Sequence, residues 1–95
     1  MTEQMNLRLD KELIEDFEDL AKEENLDRAS LVKKILVEGL KKERIDYAIQ
    51  RYAVREISIE RAARLAKVPL YEFIQILQKF GISTGLNIKD YQELI

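Results

Sequence analysis

The chain has no cysteine, no histidine and no tryptophan, and only one proline and three glycines in 95 residues. Each shortage removes a class of explanation. Without cysteine there is no disulfide framework to hold a small extracellular fold. Without cysteine or histidine there is also no ordinary zinc site and no imidazole base. No apolar run approaches the roughly 20 residues of a membrane span, and "MTEQMNLRLD" lacks the basic-then-apolar layout of a signal peptide. A cytoplasmic protein without membrane association is the expectation. No nucleophile is paired with a base, no phosphate loop is present and no ligand types cluster, so no enzyme, cofactor or metal is expected.

What is present is charge and short apolar periods. The net charge of −2 gives no support to nucleic-acid binding. Its distribution is uneven: residues 1–44 hold twelve acidic and nine basic side chains, residues 45–95 six and seven. A chain of this length is one domain or two very small ones, and a unit of about 45 residues buries too little apolar surface to be secure alone. Oligomerisation is therefore expected.

The hydrophobic period changes along the chain. In "EQMNLRLDKEL", residues 3–13, Met5, Leu7 and Leu9 alternate with Gln4, Asn6 and Arg8, and the alternation stops at Asp10. That pattern predicts a strand whose apolar and polar side chains point to opposite faces. After it, Leu13, Ile14, Phe17, Leu20 and Ala21 form one stripe of a helix whose other faces are acidic. Asp10 is the expected N-cap of this helix. "EENLDRAS" breaks it and Asp27 caps a second helix, with Leu31, Val32, Ile35, Leu36 and Leu40 as its stripe. No breaker lies between Lys41 and Ala53, which leaves open whether this helix runs on or kinks near Glu43. Ser58 caps "IERAARLA", "KVP" turns the chain, and "LYEFIQILQKF" ends at Gly81, the residue suited to a left-handed helix terminus. A short helix over "DYQELI" closes the sequence. The expected division is residues 1–44, 45–83 and a tail, 84–95.

A strand needs a ladder partner, and no second strand is evident, so its partner is expected to be the same strand of another copy. Strand, acidic helix and capped second helix within residues 3–44 resemble the ribbon-helix-helix DNA-binding proteins of the Arc/MetJ/CopG type, with "QMNLRL" similar to their ribbon and "LDRASLVKKIL" to the opening of their second helix. Asp10 stands where the Arc pattern has proline. The resemblance implies a mainly α homodimer with an intermolecular two-stranded antiparallel ribbon that enters the major groove. Gln4, Asn6 and Arg8 would then contact bases, being amides and a guanidinium of the kind that read adenine and guanine edges. Arg28, Ala29, Ser30 and Lys34 would contact phosphate at the start of the second helix. Met5, Leu7, Leu9, Phe17 and Ile35 would form the dimer core.

The second half has a resemblance of its own. "REISIERAARLAKVPLYEFIQILQKFGIS" is similar to the helical domain of a small prokaryotic antitoxin-type family catalogued as uncharacterised, over about residues 47–83. The same spacing occurs in helix-turn-helix motifs, where Ala63 lets the helices approach and Val68 and Phe73 fill the corner. Lys67 stands where glycine is commoner. The second helix of this unit exposes Tyr71, Glu72, Gln75, Gln78 and Lys79, nearly neutral with one outward carboxylate, so a packing extension or docking platform is favoured over DNA reading. Arg51, Arg55, Arg61, Arg64 and Lys67 gather before and within its first helix, either for phosphate or as plain surface charge.

Together the resemblances imply a homodimeric DNA-binding transcriptional repressor, the antitoxin of a toxin–antitoxin pair, acting on its own operator. The toxin would be held by the C-terminal half, with Tyr91, Leu94 and Ile95 as contacts. A repressor without a toxin, or an interaction module that does not bind DNA, are the alternatives.

Overall fold

The computed structural model describes residues 1–84 as an all-helical chain: α1 (Lys11–Glu23), α2 (Arg28–Ala53), α3 (Ile59–Ala66) and α4 (Leu70–Lys79). The expected ribbon-helix-helix fold is overturned, because the described residues contain no β-strand; the mainly α expectation stands. Residues 1–10 are irregular and exposed. The physical reason lies in what a period of two reports. It marks backbone that alternates its side chains, whereas a strand also needs hydrogen bonds from a neighbour, and residues 1–9 take part in no helix, turn or loop bond of the backbone.

The helix ends follow local chemistry. Asp10 occupies the N-cap position of α1, but its side chain makes no cap bond. Asn25, at φ +60°, turns the chain between α1 and α2, and the Leu26 N–H donates to the Ala21 carbonyl at 2.9 Å. Asp27 then accepts from the Ser30 N–H at 2.7 Å. α2 runs unbroken through Lys41–Ala53, which settles the question of a kink near Glu43 in favour of one 26-residue helix. Ser58 caps α3 by accepting from the Arg61 N–H at 3.1 Å. Lys67 ends α3 in the left-handed region at φ +56°, and Gly81 follows α4 at φ +70°. A lysine there costs roughly 1 kcal/mol relative to glycine. The short helix expected over "DYQELI", with Tyr91, Leu94 and Ile95, lies outside the described residues.

The chain divides into two compact units, Met1–Glu38 and the residues from Gly39 onward, and the division falls inside α2. The second unit closes a core of its own. Ala48 and Tyr52 from α2, Ile59, Ala62, Ala63 and Ala66 from α3, and Phe73, Ile74 and Leu77 from α4 are buried together, with Ile45, Ile49, Ile57, Val68, Leu70 and Ile82 packed at its margin. Phe73, Ile74 and Leu77 have no exposed surface, and each such side chain contributes about 1.5–3 kcal/mol on burial. The first unit buries only Ala21 and Leu31. Its two helices are linked by exposed ion pairs, Arg28 to Glu18 at 2.8 Å and Lys34 to Glu24 at 2.9 Å. Pairs of that kind contribute little. No helix among the described residues is long and apolar enough to cross a membrane.

Two substitutions test this arrangement. Phe73→Ala should cost about 3–5 kcal/mol of stability in denaturant titration, the usual loss for emptying an aromatic core site. Gly39→Ala should raise stability in the same titration by about 0.5–1 kcal/mol, since a β-carbon there meets nothing within 4 Å and helix-interior glycine is costly.

Candidate functional site

The candidate residues fall on four surfaces. Gln4, Asn6 and Arg8 lie on the irregular N-terminal segment, exposed, alongside Met5 at 82% exposure and Leu7 at 59%. The expected opposite faces of a paired ribbon are therefore absent: polar and apolar side chains of this segment alike meet solvent. Leu9 and Ile35 are also exposed, and Phe17 is half-buried.

The start of α2 is occupied by the protein's own groups. Asp27 places its carboxylate on the Ser30 N–H, filling part of the position expected to receive a phosphate. That bond holds the Asp27 carboxyl below its ordinary value of 3.8. Arg28 is drawn to Glu18, and Lys34 to Glu24, whose hydrogen bond and charge hold the lysine above its ordinary range. The Ala29 backbone N–H, too, acts on the Asp27 carboxylate. Of the expected phosphate contacts, the two cations are thus already engaged by carboxylates.

The third surface is one that the helical stripes did not announce. Leu13 and Leu20 of α1 belong to the stripe expected to face inward, yet both remain exposed. So do Leu36 at 54% and Val37 at 63%, on α2. Isolated exposed leucines are ordinary, but here they sit on a unit with two buried side chains, which makes the exposure informative. The signal available in the sequence was size: so short a unit cannot bury both stripes by itself.

The fourth surface lies on the second unit, where its basic residues separate into two groups. Arg51 pairs with Glu56, donates to the Tyr47 hydroxyl and lies over the Tyr47 ring at 5.5 Å. Arg55, in the left-handed region at φ +61°, stacks on Tyr52 at 4.5 Å and donates to the Ser83 carbonyl at 2.9 Å. Both are structural. Arg61, Arg64 and Lys67 are exposed and make no ion pair among the described residues. On α4, Tyr71, Gln75 and Gln78 are exposed at spacings of four and three, one stripe of the helix. The nearly neutral character of this helix is as expected, while the unpaired charge sits on the helix before it. No group of three or more acidic side chains among the described residues is placed to hold a metal.

Asp27 gives a titration test. A carboxyl held below its unfolded value adds stability above that value and loses it as the pH falls through the folded one. Protection of the Ser30 amide against hydrogen exchange should therefore decline in acid, below about pH 4. In Asp27→Asn, whose amide oxygen accepts without titrating, the decline should vanish.

The family model described as "Uncharacterised protein family (UPF0175)" matches residues 4–94. One family thus spans both units, and the N-terminal part is not set apart from the C-terminal part as a ribbon-helix-helix domain. No curated protein and no solved structure matches the chain. With nearly its whole length matched, the chain belongs to the uncharacterised family UPF0175.

Proposed function

We propose that the chain is a homodimeric DNA-binding transcriptional regulator, of the kind that serves as the antitoxin of a toxin–antitoxin pair and holds its toxin through the C-terminal half. The observation that carries this reading is the contrast between the two units. The second is self-sufficient, with nine buried side chains in one cluster; the first buries two and leaves Leu13, Leu20, Leu36 and Val37 in solvent. A unit built in that way gains its core by association. A second copy supplies a surface of matching apolar character, the same exposed Leu13, Leu20, Leu36 and Val37. Two copies present each exposed surface twice, which is what a two-fold DNA site requires.

The toxin half of the reading rests on the resemblance of residues 47–83 to antitoxin-type helical domains. Its proposed contacts, Tyr91, Leu94 and Ile95, lie outside the described residues. A regulator without a toxin partner shares every feature of the first unit, and the two are separated by genetics. If the reading holds, the product of the adjacent gene arrests growth when expressed alone and co-expression of this chain relieves the arrest.

Assembly is tested directly by sedimentation. The wild-type chain should be dimeric at micromolar concentration, with a thermal midpoint that rises with concentration. Leu36→Glu, at a position half exposed in the single chain, should shift it to monomer and lower the midpoint. A monomer of full helicity at that concentration would contradict the proposal.

A further inference from the structure

We infer that α3, the turn at Lys67 and α4 form a helix-turn-helix that binds duplex DNA, with Arg61, Arg64 and Lys67 on the phosphates and Tyr71, Gln75 and Gln78 on base edges. The inference rests on the regulator reading and assigns it a surface.

The argument begins with what holds the two helices together. Ala62, Ala63 and Ala66 are buried on one side of α3, and their small side chains let α4 come close. Phe73, Ile74 and Leu77 fill the contact from α4. The Lys67 N–H donates to the Arg64 carbonyl at 3.1 Å and the Val68 N–H to the Ala63 carbonyl at 3.2 Å, a left-handed closure that reverses the chain within three residues, Lys67 to Pro69. With those faces committed to packing, the remaining faces are fixed by helical period. α3 turns Glu60, Arg61, Arg64 and Leu65 outward, with Lys67 following, so the face carries three cations against one carboxylate at its first turn.

The distribution of charge then separates two tasks. Cations without partners lie on the first helix and its turn, where they attract a polyanion regardless of its sequence. Along α4, two amides and a phenol form the exposed stripe. Glutamine is the side chain whose donor and acceptor match N6 and N7 of adenine in the major groove. Glu72 lies beside the stripe and would be unfavourable on a phosphate, so it favours placing this helix toward bases and α3 toward the backbone. Four other cations are engaged by the protein's own groups: Arg28 and Lys34 are held by Glu18 and Glu24, and Arg51 and Arg55 are locked within the second unit.

The test uses the full-length chain and fluorescence anisotropy with two 30-base-pair probes: a random-sequence duplex, and the duplex enriched by repeated selection on the wild-type protein. Affinity for the random duplex should fall with salt at a log–log slope of about −2.7 per bound copy, roughly 0.9 for each of three phosphates. Arg64→Ala should weaken both probes alike and reduce that slope by about 0.9. Gln75→Ala should leave the random duplex unchanged and weaken the selected one by about 10- to 100-fold. All of these side chains are exposed, and circular dichroism of each variant confirms the fold. If the wild type binds DNA but the Arg61→Ala, Arg64→Ala double variant binds it equally well, the duplex sits elsewhere; this inference falls and the regulator reading stands. Equal affinity for an RNA duplex of the same sequence would also overturn it, because the A-form major groove does not admit side chains. If the wild type binds neither DNA probe at 50 mM salt, both this inference and the DNA-binding part of the reading fall, while dimerisation by sedimentation is judged separately.

Discussion

Three alanines decide whether the second unit exists. Ala62, Ala63 and Ala66 occupy the face of α3 that meets α4, and any larger side chain there would hold the helices apart. Their closeness is what removes Phe73, Ile74 and Leu77 from water and brings Ala48 and Tyr52 of α2 into the same cluster. The turn at Lys67 is set by that contact. A lysine tolerates a left-handed backbone here because the packed helices on either side outweigh its modest cost. The outward placement of Arg61, Arg64, Gln75 and Gln78 is in turn a by-product of which faces the alanines and Phe73 claim.

The two units solve the problem of small size in different ways. In the second, apolar residues from three helices converge, and its cations Arg51 and Arg55 reinforce the closure through Tyr47, Tyr52, Glu56 and Ser83. In the first, Ala21 and Leu31 are the buried side chains, surface ion pairs bridge α1 and α2, and much of the apolar stripe stays wet. Under the proposed function this contrast separates the labour: the first unit obtains its stability from a second copy, while the second is folded before it meets any partner.

Much of the local structure was legible in the sequence, because helix termini are set by single residues. Asp27, Ser58 and Gly81 each act where their chemistry places them. Part of the second core was legible too, through the spacing of Ala63, Val68 and Phe73. The N-terminal segment was not. Alternation at residues 4–9 encodes an extended chain, but the neighbour that would turn it into a strand is not written in the same sequence, and the ribbon built on it does not occur among the described residues. The continuity of α2 was equally hidden. Its buried side chains shift from one face at Leu31 to another at Ala48 and Tyr52, so no single stripe marks it as one helix. At the candidate surfaces, the sequence displayed the cations but not their partners; only the fold distinguishes Arg28, held by Glu18, from Arg64, which is held by nothing among the described residues.

The bond from Arg55 to the Ser83 carbonyl reaches across 28 positions of sequence and ties the chain after α4 back to the loop between α2 and α3. Both helices of the packed pair, α3 and α4, lie inside that span, so a single guanidinium closes the segment that holds them.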